Sequence, residues 1–135
     1  MTTRAEGFLA AWHRAVAERD VAALGELLAD DVSLGAPPYA RRFEGKELVL
    51  PLLGFVLETV DGFQYRREWR AGRELALEFT GRVGDTELQA IDLISLDGGG
   101  RVARLDVLMR PAGAIEALRG AIAPRMTELL ARRAG

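Results

Sequence analysis

The spacing of apolar residues in this 135-residue chain changes from a helical period to a strand period at Asp61. Before Asp61, apolar side chains recur every three or four residues, as Phe8, Trp12 and Val16 do, which is typical of an amphipathic helix. After Asp61, apolar and polar residues alternate in segments separated by short glycine-containing turns, which is typical of an antiparallel meander. Helices followed by a meander predict an α+β fold with helices packed on one face of a curved sheet.

Two helices are predicted before residue 32. Thr3 and Glu6 form a capping-box pattern at the start of a first helix, which continues to about Arg19. Asp20 is a candidate N-cap for a short second helix, because a carboxylate there accepts hydrogen bonds from the first helical N–H groups. We expect this second helix to end at Asp30–Asp31.

Two further helices contain an internal proline. Gly45 opens the third helix after the segment 32–43, and Pro51 in its second turn predicts a kink or a restart. Pro111 is suited to the first position of a C-terminal helix, for which Pro124 predicts an interruption.

The four predicted strands span residues 63–69, 75–83, 87–96 and 101–109. In the first of these strands, every second side chain is expected to lie on the same face of the sheet; these residues are Phe63, Tyr65, Arg67 and Trp69. No repeat, linker or low-complexity segment interrupts the pattern. The chain is therefore predicted to form one domain over residues 1–135.

The composition excludes several kinds of function. The chain has no cysteine and one histidine, His13, so thiolate chemistry and a two-histidine metal site are excluded, and no cofactor or metal is expected. The net charge is −2 and the pI is about 5.5, which disfavours nucleic acid as a partner. Neither a signal-peptide pattern nor an 18-residue apolar run is present, so we expect a cytoplasmic protein without a membrane partner.

Several short segments, in their order and spacing, carry a resemblance that covers nearly the whole chain. They are residues 8–20, 27–32 (LLADDV), 43–47 (FEGKE), 91–94 (IDLI), 97–102 (DGGGRV) and 108–111 (LMRP). Together they resemble the nuclear transport factor 2-like superfamily, and residues 108–111 resemble its SnoaL-like branch. The resemblance implies a cone-shaped, cystatin-like fold with a curved antiparallel sheet wrapped on N-terminal helices, a C-terminal helix and a pocket.

The resemblance also implies positions for known chemistry. In the superfamily's ketosteroid isomerases two oxyanion-hole residues and a general base correspond to Trp12, Asp92 and Ala36, so only Asp92 retains the residue type. In its epoxide hydrolases the polar residues fall near Phe79, Gly81 and Val107. Neither mechanism is therefore fully represented.

Asp92 is the candidate catalytic residue. It interrupts an apolar strand and shares a strand face with Ala90 and Ile94. If that face lines the pocket, burial raises the pKa of the carboxyl toward neutrality, as an acid or base requires. A structural carboxylate held by a neighbouring tyrosine, tryptophan or arginine is an equally weighted alternative.

Aromatic and soft apolar residues are expected to complete a ligand-binding pocket. The candidates are Trp12, Tyr39, Phe55, Tyr65, Trp69, Phe79 and Met109. Trp12 could donate its indole N–H to a ligand or to Asp92, although a tryptophan at this helical spacing is more often a core residue. His13 is expected on the exposed flank of the same helix.

The opposite face of the sheet is predicted to mediate dimerisation. Alternation places Val107 inward and Asp106 on the outer face as an ion-pair partner. Ile91, Leu93 and Leu108 would then be exposed together, which predicts a homodimer formed through this face.

Three functions remain open from the sequence. The first is a cofactor-independent isomerase or cyclase that binds a small hydrophobic or cyclic molecule and transfers a proton. The second is a non-catalytic binding protein or accessory subunit that uses the same pocket, which Ala36 at the general-base position favours. The third is a structural dimer whose cavity is filled by Trp12 and its aromatic neighbours.

Overall fold

The computed structural model describes residues 3–134 and contains four helices and six strands. The helices are α1 (Arg4–Ala17), α2 (Val21–Leu27), α3 (Lys46–Thr59) and α4 (Ala112–Ala134). The strands are β1 (Leu28–Gly35), β2 (Phe43–Glu44), β3 (Asp61–Ala71), β4 (Glu74–Val83), β5 (Thr86–Leu96) and β6 (Val102–Arg110). The α+β prediction and the four-strand meander are confirmed.

The six strands form one sheet in the order β2-β1-β6-β5-β4-β3. Strands β3 to β6 pair antiparallel as a meander, and β2 pairs antiparallel with β1. The predicted curved antiparallel sheet is therefore present, with one exception, because β1 pairs with β6 in parallel. Strand β2, helix α3 and strands β3 to β5 lie between β1 and β6 in sequence, and this long connection permits the parallel pairing.

The helix starts follow the local sequence signals closely. Both hydrogen bonds of the capping box between Thr3 and Glu6 are present, and Asp20 accepts a hydrogen bond from the N–H of Ala23. The predicted end of α2 at Asp30–Asp31 is wrong, because the chain enters β1 at Leu28. Leu28 is fully buried, and the two aspartates lie on the strand with exposed side chains.

Neither internal proline breaks its helix. Pro51 lies inside α3 and Pro124 inside α4, and both helices continue past them. The predicted restart at Pro51 and interruption at Pro124 are wrong, because apolar burial near each proline offsets its lost hydrogen bond, whereas the kink at Pro51 stays a prediction. Leu52 is buried beside Pro51, and Ile122 and Leu129 are buried around Pro124.

The core lies between the inner face of the sheet and the helices. Its largest part joins α1, α2 and α3 to β1, β4, β5 and β6 through buried aliphatic and aromatic side chains. A smaller cluster joins the far ends of β4 and β5 to α4 through Phe79, Leu88 and Ala114. Among the described helices, none is long and apolar enough to cross a membrane. The cytoplasmic location stays a prediction.

Candidate functional site

A cavity of about 110 Å³ lies between the helices and the inner face of the sheet. Apolar side chains form most of its wall, including Leu34 from β1, Leu52 from α3, Phe63 from β3 and Leu105 from β6. The cavity is therefore not filled by Trp12 and its neighbours, which argues against the purely structural reading.

Asp92 lies in the wall of this cavity. It sits in the middle of β5, opposite Leu77 on β4 and Val107 on β6, and only 6% of its surface is exposed. Burial raises the pKa of Asp92 from 3.8 to about 7, and a hydrogen bond from Tyr65 opposes part of that rise. The protonated and the ionised carboxyl are therefore both accessible near neutral pH, as an acid or base requires.

A chain of two hydrogen bonds leads from helix α1 to Asp92. The indole N–H of Trp12 donates to the Tyr65 hydroxyl oxygen at 2.9 Å, and the Tyr65 O–H donates to Oδ2 of Asp92 at 2.8 Å. Burial and then the charge of Asp92 raise the pKa of Tyr65 well above 10, so its proton stays on the phenol. Trp12 is thus linked to Asp92 indirectly, through the Tyr65 hydroxyl to which it donates a hydrogen bond.

The second carboxylate oxygen of Asp92 faces the cavity. No side chain of residues 3–134 donates a hydrogen bond to Oδ1, and no fully buried side-chain oxygen in that range lacks a partner. Oδ1 is therefore at the cavity surface, where it can meet a ligand. None of the ion pairs among the described residues includes Asp92, so its charge has no counter-ion there.

The structure brings most of the predicted pocket residues together. Those that line the cavity are Trp12, Tyr39, Tyr65, Phe79 and Met109, together with Asp92. Phe55 is not a cavity-lining residue, which corrects its placement. Its ring faces helix α4, with the Arg125 guanidinium 4.4 Å from the ring centre. The spacing of Phe55 from Leu48 and Leu52 is typical of a packed helix face, but at Phe55 that face meets α4.

The prediction that Trp69 lines the pocket is wrong. Trp69 pairs with Ala76 on β4, is 48% exposed, and has the Arg67 guanidinium 5.2 Å above its ring. It lies on the outer face of the sheet, with Arg67.

A bulge in β3 causes this change of face. Tyr65 pairs with Phe79, but the next inner residue of β4, Leu77, pairs with Glu68, so β3 contains one extra residue between the two pairs. An extra residue exchanges the two faces of a strand, and Glu68 follows Tyr65 on the inner side. The sequence prediction assumed strict alternation of faces from Phe63 to Trp69. It therefore missed the extra residue of the bulge and assigned Trp69 to the wrong face.

His13 lies beside the hydrogen-bonded chain but outside the cavity wall. Its Nε2 is 3.0 Å from Oε1 of Glu68, and its ring meets the edge of the Tyr65 ring at 5.0 Å between centres. The side chain is 36% exposed, in keeping with the predicted flank position.

The mouth of the cavity involves residues that the sequence argument did not place there. Helix α4 contributes Leu118, Arg119, Ile122 and Met126, across from Tyr39 in the segment between β1 and β2. The apolar spacing of α4 signalled a packed face, but only tertiary structure puts that face over the cavity. No sequence pattern indicated that Arg119 would line the cavity.

Comparison with solved structures identifies the family. The chain shares 34% identity with a steroid delta-isomerase from Pseudomonas aeruginosa, with 97% of each chain covered and a TM-score of 0.89. It shares 36% identity with an uncharacterised cystatin-like-fold protein from Silicibacter pomeroyi, covering 87% of this chain and 84% of that one, with a TM-score of 0.84. The chain belongs to the nuclear transport factor 2-like superfamily.

A more distant member of this superfamily shares the fold alone. A SnoaL-like protein of unknown function from Burkholderia thailandensis has 18% identity and a TM-score of 0.67, covering 80% of this chain and 96% of that one. No family model and no curated protein matches the chain.

The other positions implied by the superfamily resemblance are apolar in this cavity. Ala36, at the position of the isomerase general base, lines the wall with its methyl group. Phe79 and Val107, near the positions implied for epoxide hydrolases, also line it. No group of three metal-binding side chains occurs within residues 3–134. Asp92 is thus the cavity's one carboxylate in the described part of the chain.

The outer face of the sheet carries further charged residues, which include Asp106 and Glu78. Asp106 accepts hydrogen bonds from Arg42 and Arg104, which confirms its predicted role as an outer-face ion-pair partner. Glu78 lies on this face too, 1% exposed, with Arg67 donating from Nε at 2.6 Å. These charges are separated from the cavity by the sheet.

Proposed function

We propose that the protein binds a small apolar cyclic molecule in the cavity and exchanges a proton with it through Asp92, as an isomerase or cyclase without a cofactor. One observation carries the proposal: Asp92 is a buried carboxyl without a counter-ion among the described residues, with Oδ1 at the surface of an apolar cavity. A carboxyl with a pKa near 7 can both accept and return a proton at neutral pH.

The simplest reaction that fits is movement of a double bond in a cyclic ketone. Oδ1 of ionised Asp92 takes a proton from the carbon between the carbonyl and a β,γ double bond, and the C–H electrons form a dienolate. The carboxyl then returns the proton to the γ carbon, which gives the conjugated ketone. Asp92 ends as it began, and the step consumes no oxidant. The likeness to a protein named as a steroid delta-isomerase makes ring ketones the first class to test.

The surrounding residues support this role for Asp92. The apolar wall excludes water, so that the ionised carboxylate is a stronger base than it would be in solution. Tyr65 holds Oδ2, which leaves Oδ1 oriented toward the ligand. With Ala36 apolar, both proton transfers are assigned to Asp92.

The test is turnover of β,γ-unsaturated cyclic ketones of increasing size, from a single ring to a steroid, followed by the absorbance of the conjugated product. We expect Asp92→Asn to reduce turnover by about 100-fold or more, because general acid–base groups contribute that much. Asp85→Asn, the same change in an exposed turn, should retain full activity. A folded Asp92→Asn protein with undiminished turnover would contradict the proposal.

A second candidate function is binding without catalysis. The methyl group of Ala36 in the cavity favours it, since the base of the related isomerases is absent there. The two functions differ in their effect on a bound ketone in D₂O. A catalyst exchanges the acidic C–H hydrogens for deuterium, whereas a binding protein returns the ketone without deuterium beyond the uncatalysed rate.

We also propose that the protein forms a homodimer through the outer face of the sheet. Leu108 is 56% exposed, Trp69 48% and Leu93 39%, so that this face presents large apolar side chains to solvent. A twofold axis would place the same patch of each copy against the other. Light scattering should give twice the chain mass, and Leu108→Glu should give the single mass. A stable wild-type monomer at micromolar concentration would contradict the proposal.

A further inference from the structure

The cavity wall contains two ionisable groups of opposite sign that differ in exposure. Asp92 is buried, whereas Arg119 of helix α4 lines the cavity with a side chain that is 42% exposed. Arg119 is the one cationic side chain in the wall formed by the described residues. All other lining residues except the two tyrosines and Trp12 are apolar. A ligand in this cavity can therefore meet a buried carboxyl and a partly exposed guanidinium.

Arg119 has donor groups to spare. Its Nε and Nη2 are 3.0 and 2.9 Å from the same oxygen of Glu116, one turn earlier on α4. No residue of the described chain accepts a hydrogen bond from Nη1, whose two N–H groups are available. A guanidinium with a free edge is suited to a carboxylate.

Tyr39 marks the other side of the same mouth. Its ring is 38% exposed and packs edge-on against Phe43 at 5.4 Å between centres. Its hydroxyl lies 3.8 Å from the Met126 sulfur, one turn beyond Ile122 on α4. Tyr39 and Arg119 are thus both cavity-lining and partly exposed, so a group that projects from the cavity toward solvent can meet either side chain.

The size of the cavity limits what can lie inside. A volume of about 110 Å³ is somewhat below the roughly 150 Å³ of an engineered apolar cavity that holds one benzene molecule. One ring therefore fills most of it, and further atoms of the ligand extend toward the mouth.

Charge decides which end of the ligand points inward. An anionic group next to Asp92 would face a second negative charge in an apolar surrounding, which is strongly unfavourable. A neutral carbonyl or hydroxyl group can hydrogen-bond to Oδ1, whereas an anionic group is stabilised at Arg119, where solvent also reaches it.

We propose that the natural ligand is a small single-ring acid, with a neutral carbonyl or hydroxyl oxygen at Asp92 and a carboxylate held by Arg119 at the mouth. The inference rests on the proposed function and narrows its ligand class. Arg119 is then a specificity-determining residue rather than only the partner of Glu116 in a helix-surface ion pair.

The test compares 4-hydroxyphenyl acids that have one to three methylene groups before the carboxylate with the corresponding neutral amides. Binding is measured by calorimetry. We expect at least one acid to bind about tenfold more tightly than its amide, because a charge-assisted hydrogen bond contributes that much. Arg119→Gln should remove this preference by weakening binding of the acid about tenfold more than binding of the amide.

Two further variants make the result specific. Arg132→Gln, at an exposed arginine of the same helix, should retain the preference for the acid. Glu116→Gln should increase it, because the Glu116 carboxylate no longer competes for Arg119. Equal binding of acid and amide, or a preference that survives Arg119→Gln, would overturn the inference, as would the absence of binding by every probe.

These outcomes separate the inference from the proposed function. Amide binding that is weakened by Asp92→Asn, without a preference for the acid, would overturn the role of Arg119 alone. Binding that is unaffected by Asp92→Asn would instead count against the proposed role of Asp92. Persistence of the acid preference in that same variant would still support Arg119.

Discussion

Two buried carboxyls on neighbouring strands of the sheet have opposite electrostatic environments. Glu78 on β4 is 1% exposed and faces outward, while Asp92 on β5 is 6% exposed and faces the cavity. Hydrogen bonds from Arg67 and then Gln89 lower the pKa of Glu78 to about 2. Burial with only the Tyr65 hydroxyl as partner raises the pKa of Asp92 to about 7.

Hydrogen-bond partners therefore outweigh burial at Glu78, whereas burial dominates at Asp92 because Tyr65 opposes it only in part. Glu78 pairs with Ile91, the residue before Asp92, so the two positions are adjacent in the sheet and differ in face. The β3 bulge sends Arg67 to the outer face, where it binds Glu78. Without that bulge, Arg67 would follow Tyr65 on the inner face, close to Asp92. The bulge in β3 therefore gives the Glu78 carboxylate an arginine counter-ion and leaves Asp92 without Arg67 as a counter-ion.

The largest expected effect comes from removing the charge of Asp92. The folded protein binds the Asp92 proton more tightly than the unfolded chain does, so wild-type stability falls as the pH rises from about 4 to about 7. The Asp92→Asn protein should not show this pH-dependent loss of stability, because asparagine does not ionise. Its free energy of unfolding, relative to wild type, should rise by about 3 kcal/mol between pH 5 and pH 8 in urea titrations. A difference that is independent of pH would contradict the raised pKa.

A smaller effect is expected when Glu78 loses its arginine. Arg67→Met should raise the pKa of Glu78 from about 2 and lower the melting temperature at pH 7 by a few degrees, since Arg67 is largely exposed. The loss should shrink as the pH falls below 4.5, because the stability contributed by a carboxyl with a lowered pKa disappears there.

A control isolates the ion pair in that experiment. Arg67→Met combined with Glu78→Gln should recover part of the melting temperature at pH 7, because no buried charge is then left unpaired. If the double variant is less stable than Arg67→Met alone, Glu78 does not depend on Arg67, and the contrast with Asp92 fails.

The smallest effect is expected at Tyr65. Tyr65→Phe removes the one hydrogen bond that lowers the pKa of Asp92, so the pKa should rise above 7. The rise should be less than about one pH unit, because a single hydrogen bond contributes about 1 kcal/mol. Tyr39→Phe, at the mouth, should leave the value unchanged. A fall after Tyr65→Phe would contradict the proposed network.

The sequence predicts the position of Asp92 because β5 is regular. Each residue of β5 from Leu88 to Ser95 has a partner on β4, without a shift in register, so alternation from the apolar neighbours correctly places Asp92 inward. The helix caps at Thr3 and Asp20 could be predicted for a similar reason, since both are local hydrogen-bond patterns.

The remaining features depend on contacts between distant segments. The bulge that moves Trp69 outward has no local signal, and the pairing of Glu78 with Arg67 follows from that bulge. Arg119 reaches the cavity only because α4 packs over its mouth. These placements depend on tertiary packing. The alternation or helical spacing of residues within one segment gives no information about such contacts.

The most direct test of the central claim is the titration of the Asp92 carboxyl. Carbon-13 NMR of side-chain-labelled protein from pH 3 to pH 9, with Asp92→Asn to assign the signal, measures it without a substrate. We expect a midpoint near pH 7 for Asp92. A midpoint near its ordinary value of 3.8 would mean that Asp92 is permanently ionised at neutral pH, and would contradict its role as a proton-exchanging group.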